Sequence, residues 1–346
     1  MSRKLEFALI GCGSFGEVLG RYILEVADIA AVCDVNEQSA AQTARALKLD
    51  VPVDTDFEQT VRRPGLDAVA ITAANFVHAP IAIAAAEAGL HIFCEKAMAR
   101  TVAECWEMVR ACRKKNLRLT VGHKRRLRPS WGRMIDLTRD DGPLGAPLAI
   151  TVSQYADMRP YAYPGTWWAD PQLSGGHLAI IGVHVIDWFR AMCGDARHVS
   201  AVFGPRMDEG YKYPDVLHAT IAFHGGAVAS INSTLHNPLQ KFRQAQGPMV
   251  QCRHGGMCLS PDMETIELNW QRLDEESPHR ELFAVAEEFD PAYRREMGDF
   301  VRWVTEDRTP CLTWVEGLRC VELMEAIYRS AEQDGAKVEL PLSPEV

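Results

Sequence analysis

The sequence predicts an α/β fold in its first third and a change of architecture, with longer strands, in the remainder. Short apolar runs alternate with helical patterns as far as residue 123, which is typical of a parallel, doubly wound sheet. Beyond that point, alternating patterns predict strands over residues 148–155, 219–223 and 227–234. The last two flank the segment His224-Gly225-Gly226, which predicts a hairpin.

The first apolar run, residues 7–10, leads into three glycines with the spacing G-x-G-x-x-G, followed by a predicted helix over residues 14–26. Gly11 permits a tight turn, Gly13 lets the backbone approach a phosphate, and Gly16 lets the helix lie close to the strand. The positive N-terminal end of the helix then faces the anion. Glycine-rich turns are common, so the motif indicates a dinucleotide-binding loop only because a strand precedes it and a helix follows it.

The second predicted strand, residues 29–34, ends in an acid, Asp34, which lies 18 residues after Gly16. An acidic residue at about this place can bind both ribose hydroxyls of an adenosine. It could also cap the helix predicted over residues 37–47, and the two roles are compatible. No arginine follows Asp34 that would accept a 2′-phosphate, so the sequence favours NAD over NADP.

The alternation continues with strands and helices in turn, which completes the prediction of a parallel sheet with helices on both faces. The strands are expected over residues 51–53, 67–72, 91–94 and 117–121, and the helices over residues 78–88 and 102–114. A chain with a glycine loop and this order of elements is expected to form a Rossmann domain.

Two polar segments follow buried strands, at the edge where doubly wound sheets bind ligands. Asn75 precedes a helix that carries Pro80 near its start, and it is a plausible N-cap. Glu95 and Lys96 lie just beyond the fifth main strand. A lysine in that crevice is expected to be partly desolvated, with a pKa lowered toward the working range of an acid–base group, although a surface lysine is the alternative.

Composition and charge exclude several classes of protein. The net charge of −9 argues against nucleic acid as a partner. The longest apolar segment, residues 66–90, is interrupted by polar residues and Pro80, so no membrane span is predicted. Residues 1–4 lead directly into the first strand and leave no room for a signal peptide.

The ten cysteines occur without C-x-x-C pairs, which indicates reduced thiols and a cytoplasmic protein. Cys252, His254 and Cys258 lie close together in sequence, but their spacing fits no common zinc site. His177 and His184 are too far apart along one helix to share an ion. No metal is therefore predicted.

Four runs of residues resemble the Gfo/Idh/MocA family, named for glucose–fructose oxidoreductase, inositol dehydrogenase and rhizopine catabolism. They are the glycine loop, the segments 75–78 and 87–97 taken together, the run Gly122-His123-Lys124-Arg125-Arg126, and the segment from Gly175-Gly176 to Gly182-Val183-His184-Val185-Ile186-Asp187. Residues 299–301 and 325–330 also resemble the family, so the likeness covers essentially the whole length.

The resemblance implies a Rossmann domain over residues 1–123 and an α+β domain with a large, mostly antiparallel open sheet over residues 124–346. The C-terminal helices would be free to pack back on the first domain. The resemblance also implies a homodimer or homotetramer packed through the large sheet. The implied activity is reversible oxidation of a hydroxyl group on a small-molecule sugar, glycoside or cyclitol.

Candidate site residues follow from the motifs and the resemblance together. Lys96 is expected to be the main acid–base residue, with His184 assisting. Cofactor binding is assigned to Gly11, Gly13, Ser14, Phe15, Gly16, Asp34, Ala73, Asn75, His78, Glu95 and Lys96. Substrate binding is assigned to Lys96, Arg125, Tyr155, Arg159, Trp167, Trp168 and His184. The aromatic segment that holds several of these residues also contains Tyr161, Tyr163 and Asp170; core or interface aromatics are the alternative.

At three positions the sequence departs from the family pattern, so the roles of the family's residues there cannot be assigned to this chain. Ala97 stands where the family usually has a proline after the Glu-Lys pair, and Trp168 stands where it often has an arginine. Ile180 stands where many polyol dehydrogenases of the family have an aspartate, four residues before the histidine. An aspartate there could orient His184 on a shared helical face, and an isoleucine cannot. Asp187 is expected to support the structure.

Two other functional classes remain open from the sequence. One is a family member that oxidises transiently, eliminates and re-reduces its substrate with a tightly held NAD. The other is a non-catalytic NAD-binding sensor, against which the retained Glu95, Lys96 and His184 argue.

Overall fold

The computed structural model describes residues 3–160, 163, 165–206, 212, 214, 216–235, 247–261 and 264–342. Tyr161, one member of the predicted aromatic segment, lies outside these residues. The chain divides into two compact units: residues 1–123 with 293–321, and residues 124–292 with 322–346. Among the described helices, none is both long and apolar enough to cross a lipid bilayer.

The first unit contains a six-stranded parallel sheet. Its strands are β1 (Glu6–Ile10), β2 (Asp28–Cys33), β3 (Val53–Asp54), β4 (Ala68–Ile71), β5 (His91–Glu95) and β6 (Leu119–Gly122). They lie in the order β3-β2-β1-β4-β5-β6. Its helices are α1 (Ser14–Val26), α2 (Glu37–Ala46), α3 (Phe57–Thr60), α4 (Asn75–Ala88) and α5 (Val102–Lys114). The predicted doubly wound sheet is confirmed.

Local sequence explains where several of these helices begin and end. The Thr101 side chain accepts a hydrogen bond from the amide of Glu104 and thereby caps α5. Asn36 caps α2 by accepting from Gln38 and Ser39, so the helix cap is not Asp34. At the other end of α4, Gly89 has a φ of +86°, a left-handed conformation that favours glycine and stops the helix.

A C-terminal helix, α9 (Asp290–Glu306), contributes to the core of the first unit from Tyr293 onward. Its Phe300 ring meets Phe7 of β1 and Phe93 of β5 at 5.9 Å between ring centroids, both edge-on. All three aromatic side chains are fully buried. The residues of α9 from Tyr293 onward therefore complete the hydrophobic core of the first unit.

The second unit contains a nine-stranded sheet. Its strands are β7 (Pro147–Tyr155), β8 (Ala196–Phe203), β9 (Val216–Phe223), β10 (Val228–Thr234), β11 (Met249–Cys252), β12 (Gly255–Pro261), β13 (Thr265–Arg272), β14 (His279–Ala284) and β15 (Val338–Glu339). They lie in the order β14-β13-β12-β11-β7-β10-β9-β8-β15. Neighbours are antiparallel except β7 and β10. The predicted mostly antiparallel sheet and the β9–β10 hairpin are confirmed.

The helices of the second unit are α6 (Pro129–Leu137), α7 (Pro171–Ser174) and α8 (Val183–Cys193); α10 (Trp314–Glu332) belongs to this unit from Glu322 onward. The fully buried Trp188 of α8 meets Trp131 of α6 edge-on, with ring centroids 5.0 Å apart. The indole N–H of Trp188 also donates to the backbone carbonyl of Trp131 at 3.2 Å. These contacts fix α8 within the core of the unit.

Candidate functional site

The three glycines of the loop after β1 have different surroundings. Gly11 has a φ of +98°, and a Cβ atom there would lie 2.3 Å from the backbone nitrogen of Ala73. A Cβ atom on Gly16 would lie 2.2 Å from the carbonyl oxygen of Gly11. A Cβ atom on Gly13 would meet nothing within 4 Å. Gly11 and Gly16 therefore allow tight packing, whereas the space above Gly13 is open to a ligand.

This loop lies at the point where the order of the parallel strands reverses. β1 pairs with β2 on one side and β4 on the other, and in such sheets ligands bind beyond the strand ends at this place. Gly13 is the N-cap of α1, and no side chain caps that end of the helix. The first-turn amides, including those of Ser14 and Phe15, have no acceptor within the helix and can bind a pyrophosphate.

Asp34 follows β2 and is tied to the glycine loop. One carboxylate oxygen accepts a hydrogen bond from the Cys12 amide at 2.7 Å, and the other accepts from the Asn36 amide at 2.9 Å. The side chain is therefore held beside the loop, half-exposed, in the position expected for a ribose-binding acid. Together with the space above Gly13, this arrangement fits an adenine dinucleotide.

Cys12 lies within the glycine loop, and its thiol is buried. The thiol lies 3.5 Å from the carbonyl oxygen of Cys33, and burial raises its pKa to about 12. A neutral thiol adds no negative charge where a pyrophosphate would bind. Cys12 therefore acts as a small apolar residue in the loop, as its position beside a buried strand predicts.

Thr72 supports the glycine loop and was not among the predicted site residues. Its hydroxyl donates to the carbonyl oxygen of Gly11, and its amide donates to Ile10 at 2.8 Å. The hydroxyl also lies 3.2 Å from the place that a Cβ atom on Gly16 would occupy. A threonine directly after the apolar strand β4 is the sequence signal that could have identified it.

In the segment after Thr72, the start of helix α4 differs from the prediction. Asn75 is the first residue of α4 and Ala74 is the N-cap, so the predicted capping role of Asn75 is wrong. The Asn75 side chain is 6% exposed. Ala73 lies against Gly11, which places both residues of the predicted cofactor set at the same edge of the sheet.

Glu95 and Lys96 lie where β5 ends. Glu95 is buried, and one of its carboxylate oxygens accepts a hydrogen bond from the Lys96 amide at 3.3 Å. A Cβ atom on Gly122 would lie 2.9 Å from Glu95 Oε1, so the glycine makes room for this carboxylate. Lys96 is half-buried, and the peptide bond between Lys96 and Ala97 is cis. Lys96 therefore lies directly after the last residue of β5, where the sequence predicts it.

His78 was predicted to contact the cofactor, but its side chain is fully buried. Nδ1 lies 2.8 Å from the carbonyl oxygen of Ala97, and Nε2 lies 3.0 Å from that of Ala73. Burial lowers the pKa of His78, while both carbonyl contacts and the charge of Glu95 act to raise it. The ring is occupied by these backbone contacts and has no exposed surface to offer a cofactor.

His184 lies in the first turn of α8 in the second unit and is half-buried. Residues Leu178–Gly182 before it form a π-helical turn, in place of the uniform α-helix that the predicted spacing assumed. The Leu178 amide donates to the Tyr328 hydroxyl at 2.6 Å, which anchors the start of this turn. His177 does not join His184: its Nε2 lies 2.7 Å from the Ser233 hydroxyl.

Ile180 lies in a small apolar cluster. The cluster consists of Ala156, Ala169, Ile180 and Leu235, with Met158, Trp168 and Ile181 packed against it. Ile180 is 4% exposed. The two departures from the family pattern at positions 168 and 180 are therefore in one hydrophobic cluster, which holds no charged side chain.

The predicted substrate residues of the second unit make contacts of four kinds. Trp167 and Trp168 stack with ring centroids 4.3 Å apart. The Arg159 guanidinium binds both carboxylate oxygens of Asp157, at 2.7 and 2.8 Å. Two further contacts lie elsewhere: the Tyr155 hydroxyl is 3.3 Å from the amide nitrogen of Asn232, and the Arg125 guanidinium lies 4.8 Å from the centroid of the Trp131 ring.

Asp187 of α8 forms an ion pair with Arg126. Asp187 is fully buried, and it accepts hydrogen bonds from the Arg126 guanidinium, one of them at 2.8 Å. Burial, with the nearby charge of Arg128, lowers the pKa of Arg125 to about 9, which leaves its guanidinium charged near neutral pH. Asp187 therefore has the structural role expected for it.

The sequence matches a family model in two parts. The oxidoreductase family with an NAD-binding Rossmann fold matches residues 5–123, and the C-terminal alpha/beta domain of that family matches residues 140–340. D-xylose 1-dehydrogenase (NADP(+)) 2 of Haloferax volcanii is 27% identical over 97% of this chain and 100% of its own. An inositol 2-dehydrogenase/D-chiro-inositol 3-dehydrogenase of Lactiplantibacillus plantarum is 26% identical over 97% of this chain and 93% of its own.

A solved structure shares the fold. A levoglucosan dehydrogenase in complex with NADH and levoglucosan superimposes with a TM-score of 0.83 at 23% identity, covering 97% of this chain and 99% of that chain. The parallel sheet with its glycine loop agrees with the Rossmann fold of the first family model. The helices and the sheet of the second unit agree with the alpha/beta domain of the second model. Because the two models together match most of the sequence, this chain belongs to the Gfo/Idh/MocA family of oxidoreductases.

Proposed function

We propose that this protein is an NAD-dependent oxidoreductase that moves a hydride between nicotinamide and a secondary alcohol or ketone of a sugar, glycoside or cyclitol. The observation that supports the proposal is the set of residues at the carboxyl edge of the parallel sheet. There the open space above Gly13, the held carboxylate of Asp34 and the emergence of Lys96 occur together. The named activities of the xylose and inositol dehydrogenase relatives support the choice of substrate class.

NAD is the proposed cofactor, with NADP disfavoured. The Asp34 carboxylate would accept hydrogen bonds from both ribose hydroxyls, and its charge would repel a 2′-phosphate. Val35, the next residue, is 91% exposed and offers no positive charge. The xylose dehydrogenase relative is named for NADP(+), so the preference is argued from Asp34 in this chain and not from that relative.

Different residues along the sheet edge would bind the pyrophosphate and the nicotinamide half of the cofactor. Amides at Gly13, Ser14, Phe15 and Gly16 would bind the pyrophosphate at the start of α1. Ala73, Asn75 and Glu95 would lie along the nicotinamide half, because they follow β4 and end β5 next to the same crevice. The nicotinamide ring supplies or accepts the hydride when it is bound.

Lys96 is the proposed main acid–base residue. Its neutral amine would take the hydroxyl proton as the alcohol is oxidised. The resulting ammonium group would hydrogen-bond the oxygen, stabilise its negative charge, and return the proton in the reverse direction. His184 is proposed to assist by positioning the hydroxyl or sharing the proton. Without a carboxylate at position 180, the charged form of His184 has less support, so Lys96 carries the larger part.

The second unit would supply the sugar-binding surface. The stacked pair Trp167 and Trp168 would contact the C–H face of a ring, since aromatic faces are apolar. Arg159, held in a fixed direction by Asp157, would donate to hydroxyl groups, and Tyr155 and Arg125 complete the proposed set.

A substrate screen tests the proposed function. The purified protein is incubated with cyclitols, free sugars and glycosides, each with NAD and with NADP, and absorbance of the reduced nicotinamide is recorded. We expect turnover with at least one secondary alcohol and a kcat/KM at least tenfold higher with NAD. Tightly retained cofactor with no net NADH from any substrate would instead indicate transient redox chemistry. Failure to bind either dinucleotide would contradict the proposal.

We also propose that the protein is a homodimer or homotetramer that associates through the nine-stranded sheet. The face of this sheet that points away from its buried residues carries exposed Val202, Val228 and Met249. Val228 and Met249 lie opposite Ala149 and Thr151 of β7, so they belong to the two strands that flank β7 in the centre of the sheet. Thr151 and Ser230 lie on the same outward face, so the proposed surface between copies mixes apolar and polar side chains, as many protein interfaces do.

Introducing charge on this face is expected to break the oligomer. The double variant Val228→Lys with Met249→Lys should sediment as a monomer at concentrations where the wild type does not, because two ammonium groups would be buried without partners. Leu273→Lys is the control, since Leu273 is 76% exposed in a turn beyond β13. A monomeric wild type, or an oligomeric double variant, would exclude this interface.

The cytoplasm is the proposed location. All ten cysteines are free in the structure, which agrees with a reducing compartment.

A further inference from the structure

His78 makes two contacts that no cofactor role explains. Its fully buried ring joins two segments that follow neighbouring parallel strands: Ala73 after β4 and Ala97 after β5. The Ala97 contact is the shorter, at 2.8 Å, and it is made by Nδ1. The ring belongs to α4, so one helix residue connects both segments that lie at the ligand-binding edge.

The turn that contains Lys96 is irregular and buried. Residues 96–99 form no regular secondary structure, although Ala97, Met98 and Ala99 are all fully buried. A buried carbonyl group needs a donor, and the His78 Nδ1 atom lies within hydrogen-bond distance of the Ala97 carbonyl oxygen. The turn also makes local contacts, among them the Cys94 thiol with the carbonyl of Met98 at 3.8 Å and the Lys96 amide with Glu95.

Both partners of the ring are carbonyl oxygens, which accept and cannot donate. Each close contact is therefore a hydrogen bond only where the ring nitrogen carries the proton. With Nδ1 protonated, the ring donates to Ala97, and with Nε2 protonated it donates to Ala73. Loss of the bond to Ala97 would leave a buried carbonyl without its donor and release the backbone immediately after Lys96.

We propose that His78 is a positioning residue, whose Nδ1–H fixes the Lys96–Ala97 turn and thereby aims the Lys96 side chain at the reacting oxygen. This inference rests on the proposed function, because it assigns His78 a part in the same reaction. Geometry of this kind matters for rate, since a displacement of about 1 Å in a reacting group can cost about 100-fold.

Two amide variants separate the contacts of the two ring nitrogens. In His78→Asn, the amide nitrogen can replace Nδ1 and keep the bond to Ala97; in His78→Gln, it can replace Nε2 and keep the bond to Ala73. Both variants remove the ring and retain one polar contact, so each is the matched control for the other. We expect His78→Gln to lower kcat by about 10- to 100-fold, and His78→Asn by less than about fivefold. NAD affinity and melting temperature should be similar in the two.

A second measurement does not depend on turnover. The rate at which acetic anhydride acylates Lys96 is followed by mass spectrometry as a function of pH, with exposed Lys114 as the internal reference. We expect the pH dependence of the Lys96 acylation rate to shift in His78→Gln and to stay close to that of the wild type in His78→Asn. Absence of turnover in the wild type would contradict the proposed function alone. Equal Lys96 profiles in the two variants, or a larger change in His78→Asn, would overturn the role of His78.

Discussion

Replacing Lys96 with methionine is expected to reduce kcat by about 10²–10⁴-fold, the usual contribution of a positioned acid–base group. Methionine keeps much of the aliphatic length of lysine but has neither charge nor a transferable proton. NAD affinity should change by less than about threefold, because the glycine loop and Asp34 hold the other half of the cofactor. The measurements are steady-state kinetics and NAD binding by quenching of tryptophan fluorescence.

Two further variants make this result interpretable. Lys114→Met, at an exposed position on α5 in the same unit, removes a lysine away from the strand ends and should leave kcat unchanged. Lys96→Arg keeps a positive charge that does not lose its proton near neutral pH, so it should remain nearly inactive if proton exchange is required. Activity close to wild type in Lys96→Met would remove Lys96 from the mechanism. Full activity in Lys96→Arg would reduce its role to charge alone.

Restoring an aspartate at position 180 is expected to destabilise the protein without creating a better base. The side chain would enter the cluster of Ala156, Ala169 and Leu235, where burying a carboxylate without a partner costs about 2–5 kcal/mol. We therefore expect Ile180→Asp to lower the free energy of unfolding by an amount in this range at pH 8, measured by urea denaturation. The value of kcat should not rise.

The pH dependence of this loss identifies its cause. Burial would raise the pKa of the new carboxyl group above its value in the unfolded chain. The neutral form is tolerated below the unfolded pKa, and stability falls as pH rises through the folded pKa, so the loss should be larger at pH 8 than at pH 5. Ile180→Asn should show a loss without this trend, and Ile180→Val should cost only about 0.5–1.5 kcal/mol. An Ile180→Asp variant of wild-type stability and higher kcat would show that the carboxylate reaches His184.

Much of the fold could be predicted because its signals are local. The glycine spacing at Gly11, Gly13 and Gly16 reflects steric limits within a few residues, and the structure shows those limits directly. The hairpin of β9 and β10 follows from alternation on both sides of residues 224–226. Asp34 was identified from its distance along the chain, and the contact with Cys12 holds it beside the loop.

The errors arose where several residues competed for one local role. Asn75 and Asp34 are both good capping residues, yet Ala74 and Asn36 occupy the cap positions. The path of the backbone leaving each strand decides which residue has the required dihedral angles, and that path depends on packing beneath the helix. The π turn at Leu178–Gly182 was not predicted, because its sequence is apolar like that of an ordinary helix. A residue far away in the chain, Tyr328, anchors the start of this turn.

Sequence alone determined the class of this protein: a dinucleotide-binding domain, a second domain with a large sheet, and Lys96 at the end of a buried strand. Periodicity and glycine sterics act over short distances along the chain, so they can be recognised without a structure. Tertiary structure decided the surroundings of the side chains. It placed His78 between two carbonyl groups and enclosed Ile180 among apolar residues from three other segments. These contacts join residues remote in sequence, and only folding brings them together.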